Sequence, residues 1–164
     1  MIHALGIANY RSLQALTVRM GSLNVVTGPN GSGKSNFYKA LRLLANCAQG
    51  NVISALAQEG GLQSTLWAGP ETTTAAQQRG ETPIQGTTRR EALRLKLGFA
   101  GATFGYTISL GLPVPGQTLF NRDPVIKREC IFAGDYYRAA KALVDREGPV
   151  VKVRSGRSWT VVEQ

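Results

Sequence analysis

Gly28-Pro29-Asn30-Gly31-Ser32-Gly33-Lys34-Ser35 matches the pattern G-x-x-x-x-G-K-[ST] at every position, and this stretch decides how the rest of the chain is read. The spacing has a physical basis. Glycines let the backbone wrap a phosphate without Cβ clashes, so that successive N–H groups point inward as an anion nest. A helix starting at Gly33 or Lys34 adds its positive N-terminal end. Lys34 brings one point charge to the β/γ-phosphates and is the candidate catalytic residue. The Ser35 hydroxyl is the expected Mg²⁺ ligand.

The flanks agree with this reading. Leu23-Asn24-Val25-Val26-Thr27 is short, apolar and rich in β-formers, and predicts the strand that feeds the loop. Beyond the loop, residues 36–45 contain neither Gly nor Pro. Phe37, Leu41, Leu44 and Ala48 fall on one face of the helix expected there.

Upstream of Glu59 the chain has no Asp or Glu, but it has Arg11, Arg19, Lys34, Lys39 and Arg42. This segment creates a positive field where a polyphosphate would bind. The whole chain carries +9. Such a charge is compatible with DNA as a further partner, and equally with a basic, solvated surface.

A length of 164 residues with 43% apolar content suits one domain with a real core. Met1-Ile2-His3 lacks the basic and apolar regions of a signal peptide. The longest uncharged stretch, residues 97–121, is broken by five glycines and two prolines and predicts no membrane span. Cys47 and Cys130 have no metal-like spacing and read as buried thiols in a reducing cytoplasm. The single histidine, His3, excludes a Ser-His-Asp triad and multi-His metal sites.

Two strands are expected before the loop. Ala4-Leu5-Gly6-Ile7-Ala8-Asn9 leads through Tyr10-Arg11-Ser12 into the alternating run from Leu13 to Met20. Small-molecule kinases usually carry the loop on their first strand, so this hairpin points elsewhere. Residues 51–63 are partly helical in pattern. Residues 70–90, rich in Thr, Gln and Gly, read as a mobile loop. Alternation around Leu93 to Phe99 and Tyr106 to Leu112 predicts antiparallel strands, with another at 125–132. Residues 136–147 look helical. Residues 150–154 and 158–162 form a hairpin about Ser155-Gly156.

Asn9-Tyr10-Arg11-Ser12 before a strand, followed by the loop and Asn36, resembles the N-terminal lobe of RecF/SMC-like ABC-type ATPases. Residues 60–70, from Gly60 through Gln63 and Trp67 to Pro70, look like a group of bacterial AAA/ABC-type ATPases in that branch. The resemblance covers about residues 2–70. It implies an α/β P-loop NTPase (ABC/SMC-type) N-terminal lobe with an antiparallel β-subdomain, incomplete in itself. The division is a hairpin, loop strand and helix in 1–50, a mobile loop in 70–90, and the β-subdomain in 91–164. It implies ATP and Mg²⁺ as ligands. Gly28, Asn30, Gly31, Ser32, Gly33, Lys34, Ser35 and Asn36 would bind the nucleotide, and Arg11 would reach its phosphates. Gln63 is a candidate Q-loop residue, with a simple polar loop role as the alternative. Trp67 is a candidate stacking residue or a packing one.

The departures matter as much. Such ATPases hydrolyse ATP with an apolar strand ending in paired acids. Ile131-Phe132-Ala133-Gly134-Asp135 is short and has a single acid. Residues 142–147 hold acids in a segment that reads as helical. Arg154-Ser155-Gly156-Arg157-Ser158 only mimics the Leu-Ser-Gly-Gly signature, because a strand follows it. The expectation is therefore the N-terminal part of a longer ATPase. Its partners would be the C-terminal half, a second ATPase head and DNA, with no membrane. Two alternatives stay open: a P-loop phosphotransferase acting on a small molecule, and a non-catalytic nucleotide-sensing or nucleic-acid-binding module.

Overall fold

The chain opens with β1 (Ile2–Tyr10) and β2 (Leu13–Arg19), an antiparallel hairpin as the alternation predicts. The computed structural model describes residues 1–70, 74–82, 92–114 and 122–162. Three helices follow the hairpin: α1 (Lys34–Ala48), α2 (Val52–Gln58) and α3 (Leu62–Thr65). A single-turn α4 (Ala75–Gln78) is capped at both groups of its Thr74–Gln77 capping box. The rest is strand: β3 (Leu95–Gly101), β4 (Phe104–Gly111), β5 (Val125–Ala133), β6 (Ala142–Glu147), β7 (Val150–Ser155) and β8 (Ser158–Val162). Of the mobile loop expected over 70–90, residues 71–73 and 83–90 lie outside the described residues, and the described part holds the helical turn Ala75–Gln78.

All eight strands form one antiparallel sheet in the order β2-β1-β3-β4-β5-β6-β7-β8. The N-terminal hairpin is continuous with the later strands because β1 pairs with β3, Ile7 opposite Leu97. Period-two alternation then gives the sheet two faces. Leu5, Ile7, Leu95, Leu97, Ile108 and Leu110 line the face under α1 and α2. From α1, Ala40, Leu43, Leu44 and Cys47 are buried against it, with Phe37 and Leu41 partly covered. Ala48 is exposed, so the packed face is rotated from the one expected at 37, 41, 44 and 48. Leu43 and Leu56 are 1% and 0% exposed. Each such side chain contributes about 1.5–3 kcal/mol by leaving water.

Two expectations are corrected. Residues 23–27 form no strand. The chain leaves β2, turns where the Asn24 side chain bonds both backbone groups of Gly21, and runs on unpaired. Leu23, Val25 and Val26 are 83%, 77% and 51% exposed. A strand needs a partner for its backbone groups, and no described strand lies beside this one. Residues 136–147 are not a helix. Ala139–Lys141 is a 3₁₀ turn and Ala142–Glu147 is β6, bonded between β5 and β7. The two ladders on either side outweigh the weak helical pattern.

No helix among the described residues is long and apolar enough to cross a membrane.

Candidate functional site

The Gly-rich loop takes the backbone that its glycines allow. Gly31 and Gly33 have φ of 82° and 96°, and Gly28 has φ of 155°. The loop closes on itself tightly, since a Cβ on Gly28 would meet Ser32 Oγ at 2.7 Å. Ser32 N–H donates to the Pro29 carbonyl at 3.3 Å, and Phe37 N–H donates to the Gly33 carbonyl at 2.9 Å, opening α1. Gly33 is the N-cap. It has no capping side chain, and the first turn of α1 holds no acid. The first N–H groups of a 15-residue helix therefore face outward with their positive end uncompensated.

Lys34 folds back over the loop. Its Nζ donates to the carbonyl oxygens of Gly28 at 2.5 Å and Pro29 at 2.7 Å. The ammonium is thus held at the loop's mouth by neutral acceptors, with no carboxylate partner among the described residues. Asn30, Gly31, Ser32 and Ser35 are exposed at the same place. This donor set fits a polyphosphate with its Mg²⁺: backbone N–H groups and an ammonium for the phosphates, and a hydroxyl at Ser35 for the metal.

The first hairpin turn is brought to the loop. Ser12 Oγ accepts from the Asn36 side-chain amide at 2.8 Å, and a Cβ on Gly33 would lie 3.1 Å from that hydroxyl. Asn9 and Arg11 hold left-handed backbone at φ 61° and 49°, which costs a non-glycine residue about 1–2 kcal/mol. The turn is held by bonds to the segment after α2. Arg11 N–H donates to the Thr65 carbonyl at 2.7 Å, and Trp67 N–H donates to the Asn9 carbonyl at 3.1 Å.

Glu59 stands at the centre of this arrangement. Gly60 and Gly61 end α2, bonding back to the carbonyls of Ala57 and Leu56 at 3.0 and 2.8 Å. This glycine-dependent C-terminal cap leaves Glu59 at a defined point beside the hairpin turn. Its Oε2 accepts from the Tyr10 hydroxyl at 2.6 Å and from Arg11 Nε and Nη2 at 3.2 and 2.8 Å. Tyr10 is fully buried. Burial first, then the Glu59 carboxylate, pushes its phenol well above the usual tyrosine range. The hydrogen bond to Glu59 likewise raises the Arg11 guanidinium.

Sequence reasoning missed Glu59 and gave Ser12 no role in the site. One signal for Glu59 was available, because it is the first carboxylate in the chain. Of the looser candidates, Gln63 is exposed on α3. Trp67 is half-buried and donates from Nε1 to the Pro70 carbonyl at 3.2 Å.

The acids of β6 lie elsewhere. β6 is four strand intervals from β1, about 19 Å at the usual spacing. Asp145 is gripped there by Arg128 through Nε at 3.1 Å and Nη2 at 3.0 Å. Asp135 is exposed and pairs with Lys141 at 3.8 Å. The signature-like residues 154–158 form the turn between β7 and β8, as expected from the strand that follows them.

Residues 1–81 match the sequence model of a family described as AAA ATPase domain. That stretch spans the hairpin, the Gly-rich loop, α1 and the Glu59 corner. The match supports an AAA/ABC-type ATPase N-terminal region with nucleotide-binding ATPase character. No curated protein matches the chain.

Proposed function

We propose that this chain binds ATP–Mg²⁺ through a Walker A loop at residues 28–35 and forms the N-terminal part of a RecF/SMC-like ABC-type ATPase. The observation that carries the reading is the loop itself. Positive-φ glycines, an uncompensated helix N-terminus and the Lys34 ammonium converge on one exposed surface. Ser35 would hold Mg²⁺ there, and the ion would supply charge compensation for the phosphates. Lys34 would exchange the carbonyls of Gly28 and Pro29 for phosphate oxygens.

The proposal extends to partners. Leu23, Val25 and Val26 expose an apolar run directly before the loop. We assign its partners to core strands of a C-terminal half that also brings the paired catalytic acids. A second ATPase head would complete the nucleotide sandwich. The charge of +9 supports DNA as the macromolecular setting, in genome maintenance or defence. A reducing cytoplasm suits the free thiols of Cys47 and Cys130.

Titration calorimetry with ATP–Mg²⁺ tests the reading. The chain binds, and Lys34→Ala does not. Equal affinities would overturn the loop assignment.

A further inference from the structure

The Arg11–Glu59 pair has a geometry beyond that of a surface salt bridge. Both guanidinium bonds come from one edge, Nε and Nη2, and both end on the same carboxylate oxygen. The buried Tyr10 hydroxyl holds that oxygen from a third side. The outer edge of the guanidinium, with Nη1, makes no hydrogen bond among the described residues. The two side chains are 26% and 21% exposed, so the pair is sheltered and its outer edge is still reachable. Ser12, the next residue in the chain, touches the start of α1 through Asn36. The Cα of Arg11 is therefore about 3.8 Å from a residue already in contact with the loop's helix.

We infer that Glu59 is a positioning residue for oxyanion binding: it anchors Arg11 by its inner edge so that the outer edge meets the terminal phosphate of a nucleotide seated on residues 28–35. This rests on the nucleotide reading of that loop. A free arginine gives up much of its rotamer freedom when it grips a phosphate. Here the fold has fixed the side chain beforehand, and the guanidinium can still offer a two-donor fork. The carboxylate also brings a negative charge near the phosphates. If that repulsion prevailed, Glu59 would compete for Arg11 rather than present it, and the sign of the mutational effect separates the two cases.

The test is a double-mutant cycle read by calorimetric ATP–Mg²⁺ and ADP–Mg²⁺ affinities, with urea unfolding measured alongside. Glu59→Gln keeps an acceptor for Tyr10 and removes the charge that holds Arg11. It should weaken ATP binding by about 3- to 10-fold and ADP binding less, with no further loss in an Arg11→Ala background. Unchanged or tighter ATP binding would overturn the proposal, and so would an equal loss with Arg11 already removed. If Glu59→Gln does not fold, Glu59→Asp withdraws the carboxylate by one carbon and should move ATP affinity in the same direction. Failure of the underlying loop reading looks different, because Lys34→Ala would then bind ATP as the unmodified chain does.

Discussion

The Asn36 side-chain amide donates to the Ser12 hydroxyl at 2.8 Å, across 24 residues of sequence. This bond ties the helix behind the Gly-rich loop to the turn of the first hairpin. Arg11, on one side of Ser12, is thereby held near the loop. Gly33 is constrained too, because any side chain there would press on the same hydroxyl.

Gly33 and Gly31 should respond differently to alanine. At Gly33, with φ 96°, an added Cβ meets Ser12 Oγ at 3.1 Å, whereas at Gly31, with φ 82°, it meets nothing within 4 Å. Backbone strain applies at both sites, and crowding only at the first. Gly31→Ala should cost about 1 kcal/mol and Gly33→Ala about 2–3 kcal/mol. Urea unfolding of the two variants measures the gap. Equal costs would mean that the hydroxyl moves aside freely.

Arg11→Ala should weaken ATP binding by about 10- to 100-fold, since charge-assisted bonds to phosphate contribute about 1.5–3 kcal/mol. ADP binding should fall less if the contact is to the γ-phosphate. A turn arginine with no part in binding would change either affinity by less than about twofold. Titrating both nucleotides decides between these outcomes.

The chain by itself should turn over ATP no faster than its Lys34→Ala variant. Phosphoryl transfer depends on positioning and on charge stabilisation. Asp145 is held by Arg128, four strands from the hairpin beside the loop. A phosphate-release assay is the measurement. Lys34-dependent turnover would reveal an acid acting at the loop.

Stability should decline with alkaline pH from about pH 8.5. Burial, then the nearby Glu129 carboxylate, pushes the Cys47 thiol up to about 12. Burial, then Asp145, pushes Cys130 up to about 11. The unfolded chain loses these protons from about pH 8.5. The folded chain retains them longer, so the unfolded state binds fewer protons and unfolding becomes easier as pH rises. The same burial predicts that both thiols react with a thiol reagent at pH 8 only after denaturation. Prompt labelling of the folded chain would contradict it.

The amino-acid sequence by itself determined the features that depend on neighbours along the chain. The glycine spacing in 28–35 specifies a loop with positive φ, and the period-two alternation specifies β1 to β5 and the final hairpin. Those patterns act over a few residues, so no distant partner is needed to read them. Tertiary structure decided the rest. Residues 23–27 have the composition of a strand and stay unpaired, because a strand also requires a neighbour for its hydrogen bonds. Residues 142–147 look helical alone and become β6, because β5 and β7 offer ladders on both sides. Glu59 was given no role from the sequence, and only the fold brings it to Arg11, 48 residues away. A side-chain ion pair at that separation leaves no periodicity in the sequence, and its geometry depends on where α2 ends against the hairpin.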